Sequence, residues 1–183
     1  MRRHIEFTIC IACLLLSAVI YGQKYSTRTG NIKFEASVPS FEEIVGENKS
    51  ASAVLEASKG DFAVLALMKG FRFKVALMEE HFNENYVESD KFPKATFKGK
   101  VEGFDAAKLS AEAKSFTISG DLTLHGKTKK ITDTAKISKS GNLITVVGSF
   151  TVKPADFDIV IPSLVSKKVS DKIEVSYNFS LAK

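Results

Sequence analysis

Histidine and carboxylate side chains are the residues most able to do chemistry here. Downstream of residue 22 only His81 and His125 remain. His81 lies beside Glu79, Glu80 and Glu84, so Glu80, His81, Glu84 and His125 could in principle supply the three protein ligands of a catalytic zinc. The spacing argues against it. There is no His-Glu-x-x-His run, and successive helical residues such as Glu80 and His81 diverge by about 100°. His81 therefore reads as a polar helix residue, and no metal and no cofactor is expected. A metal-dependent hydrolase using His81, His125 and the Glu80/Glu84 pair is the least favoured of three functional readings.

The run Gly120-Asp-Leu-Thr-Leu-His-Gly126-Lys127-Thr128 imitates a phosphate-binding loop. It has five residues between its glycines where that motif has four, and Lys129-Lys130-Ile131-Thr132 continues as a strand where a helix is required. It is a hairpin turn. No Gly-x-Ser-x-Gly elbow is present, so nucleophilic serine catalysis has no local support. The pairs Glu79-Glu80 and Asp156/Asp158 lie on solvent-facing or turn-like segments. Catalytic residues are accordingly expected to be none, and the chain is read as a binding protein.

The elements that would position these groups are mostly strands. Ile32-Phe34-Ala36, Phe62-Val64, Phe71-Phe73, Phe97-Gly99-Val101, Phe116 to Leu124, Ile131 to Ile137, Leu143 to Val152 and Ile173 to Leu181 follow the period of two expected of a half-covered strand. Lys59-Gly60-Asp61, Ser89-Asp90 with Pro93, His125-Gly126 and Ser140-Gly141-Asn142 separate them as turns. About eight such strands in one domain predict a mainly β fold, a single antiparallel, lipocalin-like closed barrel. From Lys74 to Tyr86 the period changes. Val75, Leu77-Met78, Phe82 and Tyr86 recur at three and four, opposite Glu79, Glu80, Asn83, Glu84 and Asn85, which predicts one amphipathic helix capping an opening of the sheet. Glu102 to Lys114 reads as a long hairpin connection with a helical turn.

Residues 1–22 are a different kind of sequence. Met1-Arg2-Arg3 is basic, and Ile9 to Ile20 is apolar apart from Ser17. The run is shorter than the roughly 20 residues a membrane-spanning helix needs. It predicts a secretory signal, cut after Gly22 or, as the competitor, after Ala18. The domain is then 23–183, exported to the periplasm or secreted, with no transmembrane anchor after cleavage. Cys10 and Cys13 both lie inside the apolar run, away from a lipoprotein cleavage position, so the domain has no disulfide and no thiolate chemistry.

Losing Arg2, Arg3 and Glu6 from 26 basic and 21 acidic residues leaves a net charge of +4. The lysines are scattered, Lys127-Lys129-Lys130 and Lys167-Lys168 being the densest groups, so no nucleic-acid partner is expected. Aromatic surface is abundant instead, with thirteen Phe and three Tyr after residue 22. A small barrel either fills its interior or holds one ligand. A solid core fits a stress-related envelope protein that acts through partner binding at its rim loops. A lid of Met78, Phe82 and Tyr86 favours an apolar pocket. A homodimer through an edge such as Phe116 to Leu124 is open.

Three stretches carry a family resemblance. They are Phe71-Arg-Phe-Lys with Ala76-Leu-Met-Glu-Glu-His-Phe-Asn-Glu-Asn-Tyr86, Glu88-Ser-Asp-Lys-Phe-Pro-Lys-Ala-Thr-Phe-Lys-Gly99, and Gly120-Asp-Leu-Thr-Leu-His-Gly-Lys-Thr-Lys129. Gly30-Asn-Ile-Lys-Phe34 and Lys153-Pro-Ala-Asp-Phe157 stand at the matching places near the ends. Together they resemble the YceI-like family across essentially all of residues 23–183. One departure is visible: many members carry Arg before the Asp-Phe pair and Gly after it, where this chain has Lys153-Pro154-Ala155 and Asp158.

The resemblance implies an extended periplasmic barrel that carries a polyisoprenoid or another long-chain amphiphilic lipid in an apolar tunnel. On that reading the ligand wall is Phe71, Phe73, Phe97, Phe116, Ile118, Leu122 and Leu124, with Met78, Phe82 and Tyr86 above. His81 and His125 are the candidate head-group contacts at the rim. Periodicity alone leaves open which face of each strand points inward.

Overall fold

The computed structural model describes residues 24–183; the signal-peptide expectation for 1–22 lies outside the described residues. Eight antiparallel strands close into one barrel in sequence order. They are β1 (Lys24–Ser37), β2 (Val45–Glu56), β3 (Asp61–Leu67), β4 (Lys94–Val101), β5 (Lys114–Leu124), β6 (Lys127–Ser140), β7 (Leu143–Val152) and β8 (Val169–Ala182). β1 closes the ring on β8, with Ile32 opposite Tyr177 and Phe34 opposite Val175.

The strand count agrees with the sequence reading, but one strand was misplaced. Phe71–Phe73 forms no strand. A 3-10 turn at Met68–Gly70 precedes it, and Arg72 makes a single antiparallel bridge to Glu47. The eighth strand is β2, which periodicity did not reveal. Its buried positions are Gly46, Asn48, Ala51, Ala53 and Leu55, too small and polar to form an apolar stripe. The alternation also jumps between Asn48 and Ala51, where the β1–β2 register shifts around Gly30. A bulge moves inward residues from one parity to the other. Asn48 is fully buried and fastens it, donating to the Leu67 carbonyl at 3.0 Å and accepting from the Ser50 N–H at 2.8 Å.

The predicted helix is α1 (Ala76–His81), continued by one π turn over Phe82–Tyr86, where the Val87 N–H reaches back to the Phe82 carbonyl. The expected turn in the β4–β5 connection is a 3-10 turn at Ala106–Lys108.

Connections 38–44, 68–93 and 153–168 are long and lie at one end of the barrel, with the short turn 125–126. Connections 57–60, 102–113 and 141–142 lie at the other. The two ends differ inside as well. Leu55, Val101, Ala135, Ile137, Ile144, Val146 and Leu181 are completely buried and pack as a solid plug toward the second end. The half beneath the long connections is hollow.

Candidate functional site

The hollow half is a cavity of about 370 Å³, within the range of small-molecule pockets. Every second residue of β5 above the plug faces it: Ile118, Leu122 and Leu124, with Gly120 between. β3 contributes Phe62, Val64 and Ala66, and β4 contributes Ala95 and Phe97. Close packing of β4 on β5 depends on missing side chains. A Cβ on Gly99 or Gly120 would strike the facing backbone and the Phe97 ring that lies across both.

Of the ten wall residues expected from sequence, nine line this cavity: Phe71, Phe73, Met78, Phe82, Tyr86, Phe97, Ile118, Leu122 and Leu124. Phe116 does not. It shares the inward phase of Ile118 but lies below the cavity, with its ring 6.2 Å from Phe104.

The mouth is built around an aromatic cluster. Phe82, on the π turn, stacks on Phe34 at 5.3 Å and meets Phe73 at 5.2 Å and Phe71 at 5.7 Å. Such pairs contribute about 0.5–1.5 kcal/mol each beyond their buried area. Arg72 holds α1 against this run, pairing with Glu79 at 2.8 Å, while the other Glu79 oxygen accepts from the Phe73 N–H at 3.2 Å. Lys74 pairs with Glu43 on the neighbouring loop.

The two histidines part company. His81 is exposed and borders the cavity mouth. His125, also expected as a head-group contact, is not among the residues that line the cavity. Its Nε2–H donates to Glu88 Oε2 at 2.7 Å, Nδ1 lies 2.9 Å from the Phe157 carbonyl, and its ring meets Phe92 edge-on at 4.5 Å. That hydrogen bond is the chief reason the Glu88 carboxyl sits below the usual glutamate value. The same clasp includes Lys127, 2.8 Å from Asp158, whose carboxyl that contact lowers. Asp158 adopts a left-handed conformation, φ 55°. An Asp tolerates that region better than most residues.

The clasp has a purpose in the wall. The β6–β7 ladder runs only from Lys136 opposite Val147 to Ser140 opposite Leu143. Nearer the mouth the two strands part, and the 3-10 turn Pro154–Phe157 packs there, with Phe157 1% exposed and facing the cavity.

Sequence reasoning missed several wall residues, including Phe34, Phe62, Phe150, Phe157 and Phe179. Phe34, Phe62, Phe150 and Phe179 stood on recognised strands, whose inward face periodicity left open. Ile159, Ile161 and Val165 from the last connection had no periodic signal. Asp133 was missed too, although it is in phase with Ile131, Ala135 and Ile137. Among the described residues no group of three His, Cys, Asp or Glu is placed to hold a metal ion.

A one-ended apolar barrel with a capping helix can be compared with known proteins. The family model described as "YceI-like domain" matches residues 24–181. The chain belongs to the YceI-like family. No curated protein sequence matches it, while solved structures do. A polyisoprenoid binding domain from Saccharophagus degradans, implicated in plant cell wall breakdown, is 16% identical with a TM-score of 0.75, covering 87% of this chain and 97% of that one. BcnA of Burkholderia cenocepacia is 17% identical with a TM-score of 0.68, over 84% and 96%. The Campylobacter jejuni YCEI protein is 20% identical with a TM-score of 0.61, over 75% and 84%. At these identities the likeness is one of fold. Within this YceI-like barrel, no helix of the described residues is long and apolar enough to cross a membrane.

Proposed function

We propose that this YceI-like protein is an exported, non-catalytic carrier that holds a polyisoprenoid or similar long-chain amphiphile in the hollow half of its barrel. The observation that carries the reading is the apolar cavity of about 370 Å³, open at the end crowned by α1 and closed by the plug. Burial of a chain against Phe71, Phe73, Phe82, Phe97, Ile118, Leu122 and Leu124 contributes about 25 cal/mol per Å² of apolar surface and needs no reacting group. His81 and Lys168, both bordering the mouth, are suited to a polar head left outside. A polyisoprenoid-binding relative of the same fold supports the ligand class, and the basic, then apolar, start of the chain supports export. The rim-loop reading with a barrel filled throughout has the hollow half against it.

Native mass spectrometry of protein purified from its own cell envelope tests the carrier reading. A co-purifying apolar molecule is expected, lost in Ala66→Phe, which places a ring in the cavity. A clean apo mass from the wild-type protein, with no uptake of added long-chain lipid, overturns it.

A further inference from the structure

Polar side chains are few in the cavity lining: His81 and Lys168 at the mouth, Tyr86, Thr96, and Asp133 with Tyr177 in the barrel wall. Asp133 of β6 lines the wall and is the only acidic residue among the described residues to do so. It occupies an inward position of its strand, opposite Ile118 of β5. Tyr177 of β8 donates its hydroxyl to Asp133 Oδ2 at 2.6 Å, and the Thr134 N–H donates to Oδ1 at 2.6 Å. No Lys or Arg forms an ion pair with Asp133 among the described residues. The pair is accommodated by Gly148 of β7. A Cβ there would collide with both the Tyr177 hydroxyl and the Asp133 carboxyl.

Packing alone does not account for such a group. Asp133 is half-buried, directly across the β5–β6 pair from Ile118, at a place where an apolar residue would continue the wall. Burial, with the Asp133 contact second, pushes the Tyr177 phenol far above the ordinary tyrosine range. The hydroxyl therefore stays a donor, and it is committed to Asp133. A carboxylate has about four acceptor sites, of which two are engaged here. The free sites accept hydrogen bonds from donors, and an anion brought beside them would meet a like charge.

We propose that Asp133, held by Tyr177, is a polar anchor inside the cavity that selects ligands whose buried end carries a hydrogen-bond donor, a hydroxyl or an amine, over ligands ending in an anion. The inference rests on the carrier reading and adds which end of the ligand enters and what it carries. The acidic or phosphorylated end of any amphiphile then stays at the mouth, beside His81 and Lys168.

Displacement of the neutral fluorophore N-phenyl-1-naphthylamine from the purified protein at neutral pH tests it, with decane, decanol, decylamine and decanoate as competitors of one chain length. Decanol or decylamine is expected to compete at least about tenfold more strongly than decanoate, the order expected for one hydrogen bond to a charged acceptor. The ranking of decanol against decylamine tells whether a neutral or a cationic donor is taken. Asp133→Asn, which keeps the shape and an acceptor for Tyr177, should bring decanoate to within about twofold of decanol. Tyr177→Phe should widen the wild-type preference, because Asp133 then lacks its internal donor while the ring packing on Phe150 and Phe179 is kept. Equal or stronger competition by decanoate in the wild type overturns the anchor, as does an unchanged preference in a folded Asp133→Asn. If decane and the three derivatives all fail to displace the probe, or no probe binds, the carrier reading itself falls, and the anchor with it.

Discussion

Single side chains decide how the wall of this barrel is sealed. His125 does not line the cavity, yet it ties the β5–β6 turn to Glu88 and to the carbonyl of Phe157, whose ring does. His125→Ala should therefore lower the melting temperature and loosen segment 154–158, read as faster amide exchange at Asp158 and Ile159. Because the folded-state Glu88 carboxyl lies below its ordinary value of 4.5, its contribution to stability is present above that pH. It is lost as pH falls through the lowered folded value. The melting-temperature gap between wild type and Glu88→Gln should thus be largest near neutrality and close progressively below about pH 4.5. Asn48 is the second residue of this kind. Asn48→Ala removes a fully buried side chain with its hydrogen bonds to the Leu67 carbonyl and the Ser50 N–H, each worth about 0.5–1.5 kcal/mol. Denaturant unfolding should show a loss of about 1–3 kcal/mol.

At the scale of elements, α1 and its π turn act through one ring. Phe82 joins Phe34, Phe71 and Phe73, so the lid is fastened by aromatic packing, with Arg72–Glu79 as an exposed ion pair of small value. Phe82→Ala should cost roughly 2 kcal/mol, less than a fully buried Phe because Phe82 is only partly buried. Dissociation of bound lipid should speed up more than association does, read by stopped-flow fluorescence. Arg72→Ala should change stability by under about 1 kcal/mol in the same assay. A reversal of that ranking would mean that charge, not packing, holds the lid.

The whole molecule is a barrel of two halves, a plug that supplies cohesion and a cavity that supplies capacity. Occupancy of the cavity stabilises only the folded chain. Saturation with lipid at about a hundred times its dissociation constant should therefore raise unfolding free energy by about 2.7 kcal/mol, and Ala66→Phe should abolish that increment. The sequence by itself determined much of this. Strict alternation in β1, β5 and β8 specified strands, because a period of two is a direct image of a one-sided core, but it left open which face points inward. The switch to spacings of three and four located the lid for the same reason. What alternation carries no trace of is depth along the barrel, so Phe116 and Ile118 looked equivalent although one lies below the cavity floor and the other in its wall. Nor does it register a strand whose inward residues are Gly, Asn and Ala, so β2 was replaced by Phe71–Phe73. Only the tertiary structure decided that half the interior is hollow, and that His125 seals a seam while Asp133 reaches the cavity. Those outcomes depend on which strands part and which remain paired, a property of the closed ring that no single strand contains.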